Sequence, residues 1–190
     1  FIQLADIMAE NAGQLSNLRP LNVLVTGHTK DAKATLAEKR PAKWSNIENG
    51  SMAFQVAYTT SESPVSMNND EDLTKSDAVL ASGKLGLVNP GGSVCRVVDF
   101  APGYTCALHR TQSLDYGVVL EGSVELVLED GPPTVMHRGD IAVQRHTSHA
   151  WRNASKTEWA RMMFVLLDSQ PLTVGGNLLA DDTRSLFKTD

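Results

Sequence analysis

Three observations predict an antiparallel all-β sandwich or barrel for this 190-residue chain. From Ser93 onward, short apolar runs are cut by turn formers: Ala101-Pro102-Gly103, Glu121-Gly122, Asp130-Gly131-Pro132-Pro133 and Gly139-Asp140. Nothing between them is helical enough to carry the crossover that parallel strands require. Finally, the run Ser123-Val124-Glu125-Leu126-Val127-Leu128-Glu129 alternates. It places Val124, Leu126 and Leu128 on one face and Ser123, Glu125 and Glu129 on the other, as a half-buried strand does.

The elements follow in order. Leu4, Ile7, Met8, Leu15 and Leu18 stand at helical spacings, which predicts an amphipathic helix over residues 1 to 18. Strands are expected at Leu21 to Thr26 and Met52 to Thr59. The stretch between them, with Lys30, Lys33, Lys39, Arg40 and Lys43, carries Asp31 and Glu38 as well and reads as solvated surface. Ser61 to Asp77 is expected to be a polar loop leading into a short helix around Asp77 to Ser82. Its acidic run, Asn68 to Asp72, lacks the spacing and the glycine of a calcium loop. Eight strand candidates follow: Ser93 to Phe100, Tyr104 to Arg110, Asp115 to Leu120, Ser123 to Glu129, Thr134 to Arg138, Ile141 to Gln144, Ser148 to Arg152 and Glu158 to Leu167. The tail from Pro171 reads as an irregular strap. Residues 1–90 thus form an extension on a core of residues 91–170, closed by a strap of residues 171–190, in one structural domain.

Composition narrows the function. Lys and Arg number 17 against 22 Asp and Glu, a formal net charge of −5 that ill suits a phosphate-tracking nucleic-acid binder. The longest strongly apolar run, Met162 to Leu167, is far short of the roughly 20 residues of a spanning helix, so no membrane partner is expected. Two cysteines, Cys95 and Cys106, are too few for a disulfide scaffold or a four-thiolate zinc site, although one bridge between them stays open. The default expectation is a reduced, cytoplasmic protein acting on a small molecule.

Among the five histidines, His28 and His137 sit at strand ends and read as surface residues. His109 and His149 are the informative pair. His109 shares a face with Ala107 and, if strand geometry persists, with Thr111 and Asp115; His149 shares one with Trp151 and Asn153. Cys106, three residues before His109, has the opposite parity. Neutral imidazoles suit zinc, iron, manganese, copper or nickel, and a carboxylate beside them completes a facial site. Without metal, the same three residues make an acid/base pocket.

The segment from Gly103 through His109, Thr111, Asp115 and Gly122 resembles the first motif of the cupin superfamily. That motif is a glycine, five residues, His-x-His, three or four residues, Glu, six residues and a glycine. The segment from Gly139-Asp140 to His149-Ala-Trp-Arg-Asn153 resembles the second, with Arg145 in the place of a usual proline and the histidine one position early. The resemblance implies a cupin jelly roll over residues 92 to 168 and a homodimer, since small cupins commonly pair through their sheets. The phrasing is most similar to small cupins of fungal natural-product pathways, which implies tailoring of polyketide-like intermediates by dehydration, decarboxylation or isomerisation. A full cupin metal site has three histidines and a glutamate. Here Thr111 replaces the second histidine and Asp115 shortens the acid.

The expected site therefore comprises His109, His149 and Asp115, as acid/base residues or as ligands of one divalent transition metal (Zn, Fe, Mn, Ni or Cu). Thr111, Trp151, Arg145, His146 and Met163 are candidate substrate contacts. The expected activity is a lyase or isomerase acting on a small oxygenated metabolite. A metal-dependent dioxygenase and a non-catalytic binding cupin are the alternatives.

Overall fold

The computed structural model describes residues 13–183. Two sheets form the body. The larger contains β3 (Ser45–Ile47), β4 (Met52–Thr60), β5 (Ser93–Phe100), β11 (Ala160–Asp168), β6 (Ser113–Glu121) and β9 (Ile141–Arg145), in that spatial order. The smaller contains β10 (His149–Asn153), β7 (Ser123–Leu128) and β8 (Thr134–His137). Every pairing is antiparallel, as the short connections require. Inward side chains of both sheets meet in one core containing Val98, Phe100, Val119, Val124, Trp151, Met162 and Phe164. No helix among the described residues is long and apolar enough to cross a membrane.

The extension is more than a cover. Its strand β4 pairs along the whole of β5, from Met52 opposite Phe100 to Thr60 opposite Ser93, and so belongs to the main sheet. The basic-leaning stretch is half of a surface hairpin, β1 (Asn22–His28) with β2 (Ala34–Pro41). Residues 13 to 18 form turns rather than the expected helix; the remainder of that prediction, residues 1 to 12, lies outside the described residues.

The helix expected at Asp77 to Ser82 begins earlier, as α1 (Glu71–Ala81). The end of the acidic run expected to be a loop, Glu71 and Asp72, lies in its first turn, where carboxylates complement the positive end of the helix dipole. Lys75 pairs with Glu71 at 2.9 Å, one turn away, and Arg40 reaches from β2 to Asp77 at 2.6 Å. The expected strap is partly a hairpin, β12 (Leu172–Val174) with β13 (Asn177–Leu179). Gly175 and Gly176, with φ of +56° and +82°, fill its two turn positions.

On the outer face of the main sheet lies a buried ion pair. Arg161 Nε and Nη2 donate to the two oxygens of Asp99 at 2.5 and 2.7 Å. Ser16 Oγ donates to the same carboxylate, Arg161 Nη1 donates to the Arg19 carbonyl at 2.7 Å, and the guanidinium lies 5.1 Å from the Trp44 ring centroid. This network fastens the extension to β5 and β11. Both cysteines are free thiols, which answers the open disulfide.

Candidate active site

Between the sheets lies a cavity enclosing about 670 Å3 of empty space, its mouth included. Its walls are mostly apolar, among them Met52, Phe54, Leu87, Phe100, Phe164 and Leu166. Five polar side chains interrupt them: Arg96, His109, Thr111, Asp115 and His149.

His109 and His149 face each other across the stretch that leads into β6. His109 N–H donates to the His149 carbonyl at 3.0 Å and His149 N–H to the His109 carbonyl at 2.9 Å, a closed antiparallel bridge. The imidazole centroids are 4.3 Å apart. Each ring is oriented by its own chain: His109 Nδ1 lies 2.9 Å from the Ala107 carbonyl and His149 Nδ1 lies 2.9 Å from the Thr147 carbonyl. A carbonyl only accepts, so in each neutral ring Nδ1 carries the hydrogen and Nε2 keeps its lone pair for the cavity. Trp151 supports the pair, its ring edge-on to His149 at 5.6 Å and tilted on Phe164 at 5.4 Å.

The electrostatics follow from burial. Desolvation lowers the pKa of His109, with the Ala107 carbonyl opposing it. For His149, burial and then repulsion from His109 depress it to about 4. Burial acts oppositely on Asp115 and raises it to about 6; the Ser113 hydroxyl and the Arg96 charge only partly offset this. Two neutral imidazoles and a carboxyl group that holds its proton more tightly than an exposed one thus share one largely apolar cavity.

The donor set does not match a three-ligand metal site. His109 and His149, each with Nδ1 held by a carbonyl, have the orientation of metal-ligating imidazoles. Among the described residues, however, no three His, Cys, Asp or Glu side chains are grouped to hold an ion. Thr111, where the third imidazole would come, is buried and lines the cavity with only a hydroxyl to offer.

The substrate-contact candidates divide. Thr111 and Trp151 line the cavity. Arg145 does not: alternation along β9 turns Gln144 inward and leaves Arg145 exposed on the outer side. Met163 is likewise outward, between the inward Met162 and Phe164, and packs against the Ala42, Trp44 and Val97 cluster under the extension. His146 is buried at φ +56° with both ring nitrogens unpartnered, but it does not reach the cavity wall.

Besides apolar wall residues, the cavity contains two side chains with reactive or charged groups that are not among the sequence candidates, Cys106 and Arg96. Cys106 was expected to point away from His109, yet it lines the cavity. Thr105 pairs with Arg152 while His109 pairs with His149, so four steps on one strand oppose three on the other. That one-residue bulge reverses the parity. Cys106 Sγ accepts the Trp151 N–H at 3.0 Å, and burial raises the thiol to about 11, so it is a wall and not a nucleophile. Arg96 was detectable: it shares parity with Val94, Val98 and Phe100, an arginine on an otherwise apolar strand face. Asn153, the last residue of the second motif, serves the fold, donating to the carbonyls of Phe100, Ala101 and Glu158 at 3.0, 3.0 and 2.8 Å.

The Cupin domain family model matches residues 96–166. The chain is 41% identical over 167 residues to phomopsin biosynthesis cluster protein D of Diaporthe leptostromiformis, across 87% of this chain and 88% of that protein. It is 35% identical over 180 residues to the cupin-domain-containing oxidoreductase virC of Hypocrea virens, across 90% and 91%. Among solved structures, it is similar to the polyketide cyclase RemF of Streptomyces resistomycificus, with a TM-score of 0.45 and 14% identity over 78% of this chain and 82% of that one. With relatives at such identity aligned over most of their length, the chain belongs to the cupin-domain proteins of fungal biosynthetic clusters.

Proposed function

We propose that this protein is a lyase or isomerase of specialised metabolism that moves protons on a small oxygenated metabolite held between the two sheets. The observation that carries the reading is the imidazole pair: two rings with Nδ1 fixed on carbonyls and Nε2 left for a largely apolar cavity that also holds the Asp115 carboxyl group. The arrangement suits elimination of water from a β-hydroxy carbonyl substrate. An Nε2 lone pair takes the proton on the carbon beside the carbonyl, and the C–H electron pair becomes the carbon–carbon double bond. The bond to the β-hydroxyl breaks, and the departing oxygen takes the Asp115 proton and leaves as water. The imidazolium and carboxylate return to their starting forms by net transfer of one proton. Environments that hold the imidazoles neutral and raise the carboxyl pKa to about 6, so that it can both give and regain a proton near neutrality, suit this division of roles.

The test is turnover of a panel of β-hydroxy and enolisable carbonyl compounds in heavy water, read by mass spectrometry as loss of one water or incorporation of deuterium. His109→Ala and His149→Ala are expected to abolish either signal while remaining folded. Wild-type-like turnover by both folded variants would overturn the assignment. A redox reading is favoured by the name of the Hypocrea virens relative and is checked in the same panel by oxygen uptake. Substrate bound but recovered unchanged would favour a binding protein. The expected homodimer would cover the outward side chains of Tyr116, Ile141 and Val143, which are 41%, 64% and 54% exposed; sedimentation velocity reads its presence.

A further inference from the structure

The cavity contains one cationic side chain that the imidazole pair does not account for and whose hydrogen bonds the fold uses only in part. Arg96 projects inward from β5 and is only 7% exposed. Its Nη2 donates to the carbonyls of Gly86 and Leu87 at 2.8 and 3.1 Å, and its guanidinium carbon lies 5.6 Å from the Phe54 ring centroid. Its Nε–H, fully buried, meets no acceptor. Asp115, 5% exposed and lining the same cavity, has an oxygen, Oδ1, with no partner either.

The same chain shows what a purely structural buried arginine looks like. Arg161 spends Nε and Nη2 on both oxygens of Asp99 and Nη1 on a carbonyl. A guanidinium is a planar fork matched to a carboxylate, and burying it with a donor unfilled is costly unless something else fills it. Arg96 has the burial of Arg161 without its closure, and it borders the empty space.

We infer that the cavity receives a carboxylate-bearing metabolite with an apolar body, its carboxylate paired with the Arg96 guanidinium and its body lying against Phe54, Phe100, Trp151 and Phe164. Asp115 is the competing negative charge at that end, so it sets how strongly the guanidinium draws an anion. The inference rests on the proposed reading only in taking this cavity as the substrate's. It holds whichever reaction follows.

Isothermal titration calorimetry with hexanoate and its neutral isostere hexanamide tests it without turnover. Wild-type protein is expected to bind hexanoate about tenfold or more tightly than hexanamide, a difference typical of one charge-assisted contact. Arg96→Met should erase that preference while leaving hexanamide unchanged, and Asp115→Asn should tighten hexanoate by several-fold. His149→Gln should retain hexanoate, so failure of the proton-transfer reading and failure of this subsite register separately. Equal affinity for acid and amide overturns the inference, as does no heat of binding up to about 10 mM hexanoate. Should Arg96→Met not fold, an Asp115→Asn variant with unaltered hexanoate affinity overturns it equally.

Discussion

His149 gives the site a measurable acid sensitivity. Its ordinary pKa of 6.5 falls to about 4 in the folded chain, by burial first and repulsion from His109 second. A folded-state value below the unfolded one means that the unfolded chain binds the proton more tightly. The neutral ring's contribution is therefore complete above the unfolded value and is lost as pH falls through the interval down to the folded one. At about 1.4 kcal/mol per pH unit, lowering the pH from about 7 to about 4.5 costs roughly 2 to 3 kcal/mol through this residue alone. His149→Gln keeps a polar side chain that cannot charge, and so removes that loss. Urea denaturation of both proteins at the two pH values reads it. With a slope of about 2 to 3 kcal/mol per molar urea for a chain of this size, the wild-type midpoint should fall by roughly 1 M more than the variant's. Asp115 titrates in the opposite sense: its raised pKa gives stability present at low pH and lost as pH rises toward about 6. Both proteins carry it, so it largely cancels in the difference. Equal acid shifts in the two proteins would refute a neutral, desolvated His149.

Three further outcomes are expected. Asp99→Ala, which strands the buried Arg161 guanidinium, should cost about 3 to 5 kcal/mol in urea unfolding, while Asp99→Leu combined with Arg161→Met should recover most of it; a single-variant loss below about 1 kcal/mol would contradict the network's role. Gly117 lies under the cavity wall, and a Cβ there would meet Phe164 Cε1 at 3.0 Å and Met162 Cε at 3.4 Å. Gly117→Ala should fold yet weaken hexanoate severalfold as Phe164 is pushed inward, and unchanged calorimetry would show that this wall does not set the cavity's size. Elemental mass spectrometry on protein purified without chelator is expected to find less than one equivalent of transition metal; near one equivalent, lost in the His109→Ala/His149→Ala double variant, would establish a metal centre built on two imidazoles.

Much of the barrel was readable because alternation and turn chemistry are local. The predicted strands at Met52 to Thr59 and Ser93 to Phe100 agree with β4 and β5 to within one residue. His109, Thr111, Asp115, His149 and Trp151, singled out in the sequence, all line one cavity, since parity within each segment is also local. Part of what differs depends on partners distant in sequence. The bulge that turns Cys106 inward exists only in the pairing between residues 105–109 and 149–152. The first turn of α1 reads as loop in sequence because one of its carboxylates, Asp72, finds its partner on β4, where the Tyr58 hydroxyl donates to it at 2.5 Å. Arg145 and Met163 were chosen for chemistry, whereas the alternation of β9 and β11 assigns them to the outside.

The backbone bridge between His109 and His149 separates two properties that many sites entangle. Because main-chain hydrogen bonds space the rings and main-chain carbonyls aim them, with Trp151 alone packed edge-on to His149, the remaining wall side chains are not needed to hold the pair. Phe54, Leu87, Phe100 and Leu166 are thus free to change in bulk without disturbing the reactive geometry. A scaffold wired this way can be re-specified by its upholstery alone, which makes it a ready starting point for accepting new substrates by wall mutations.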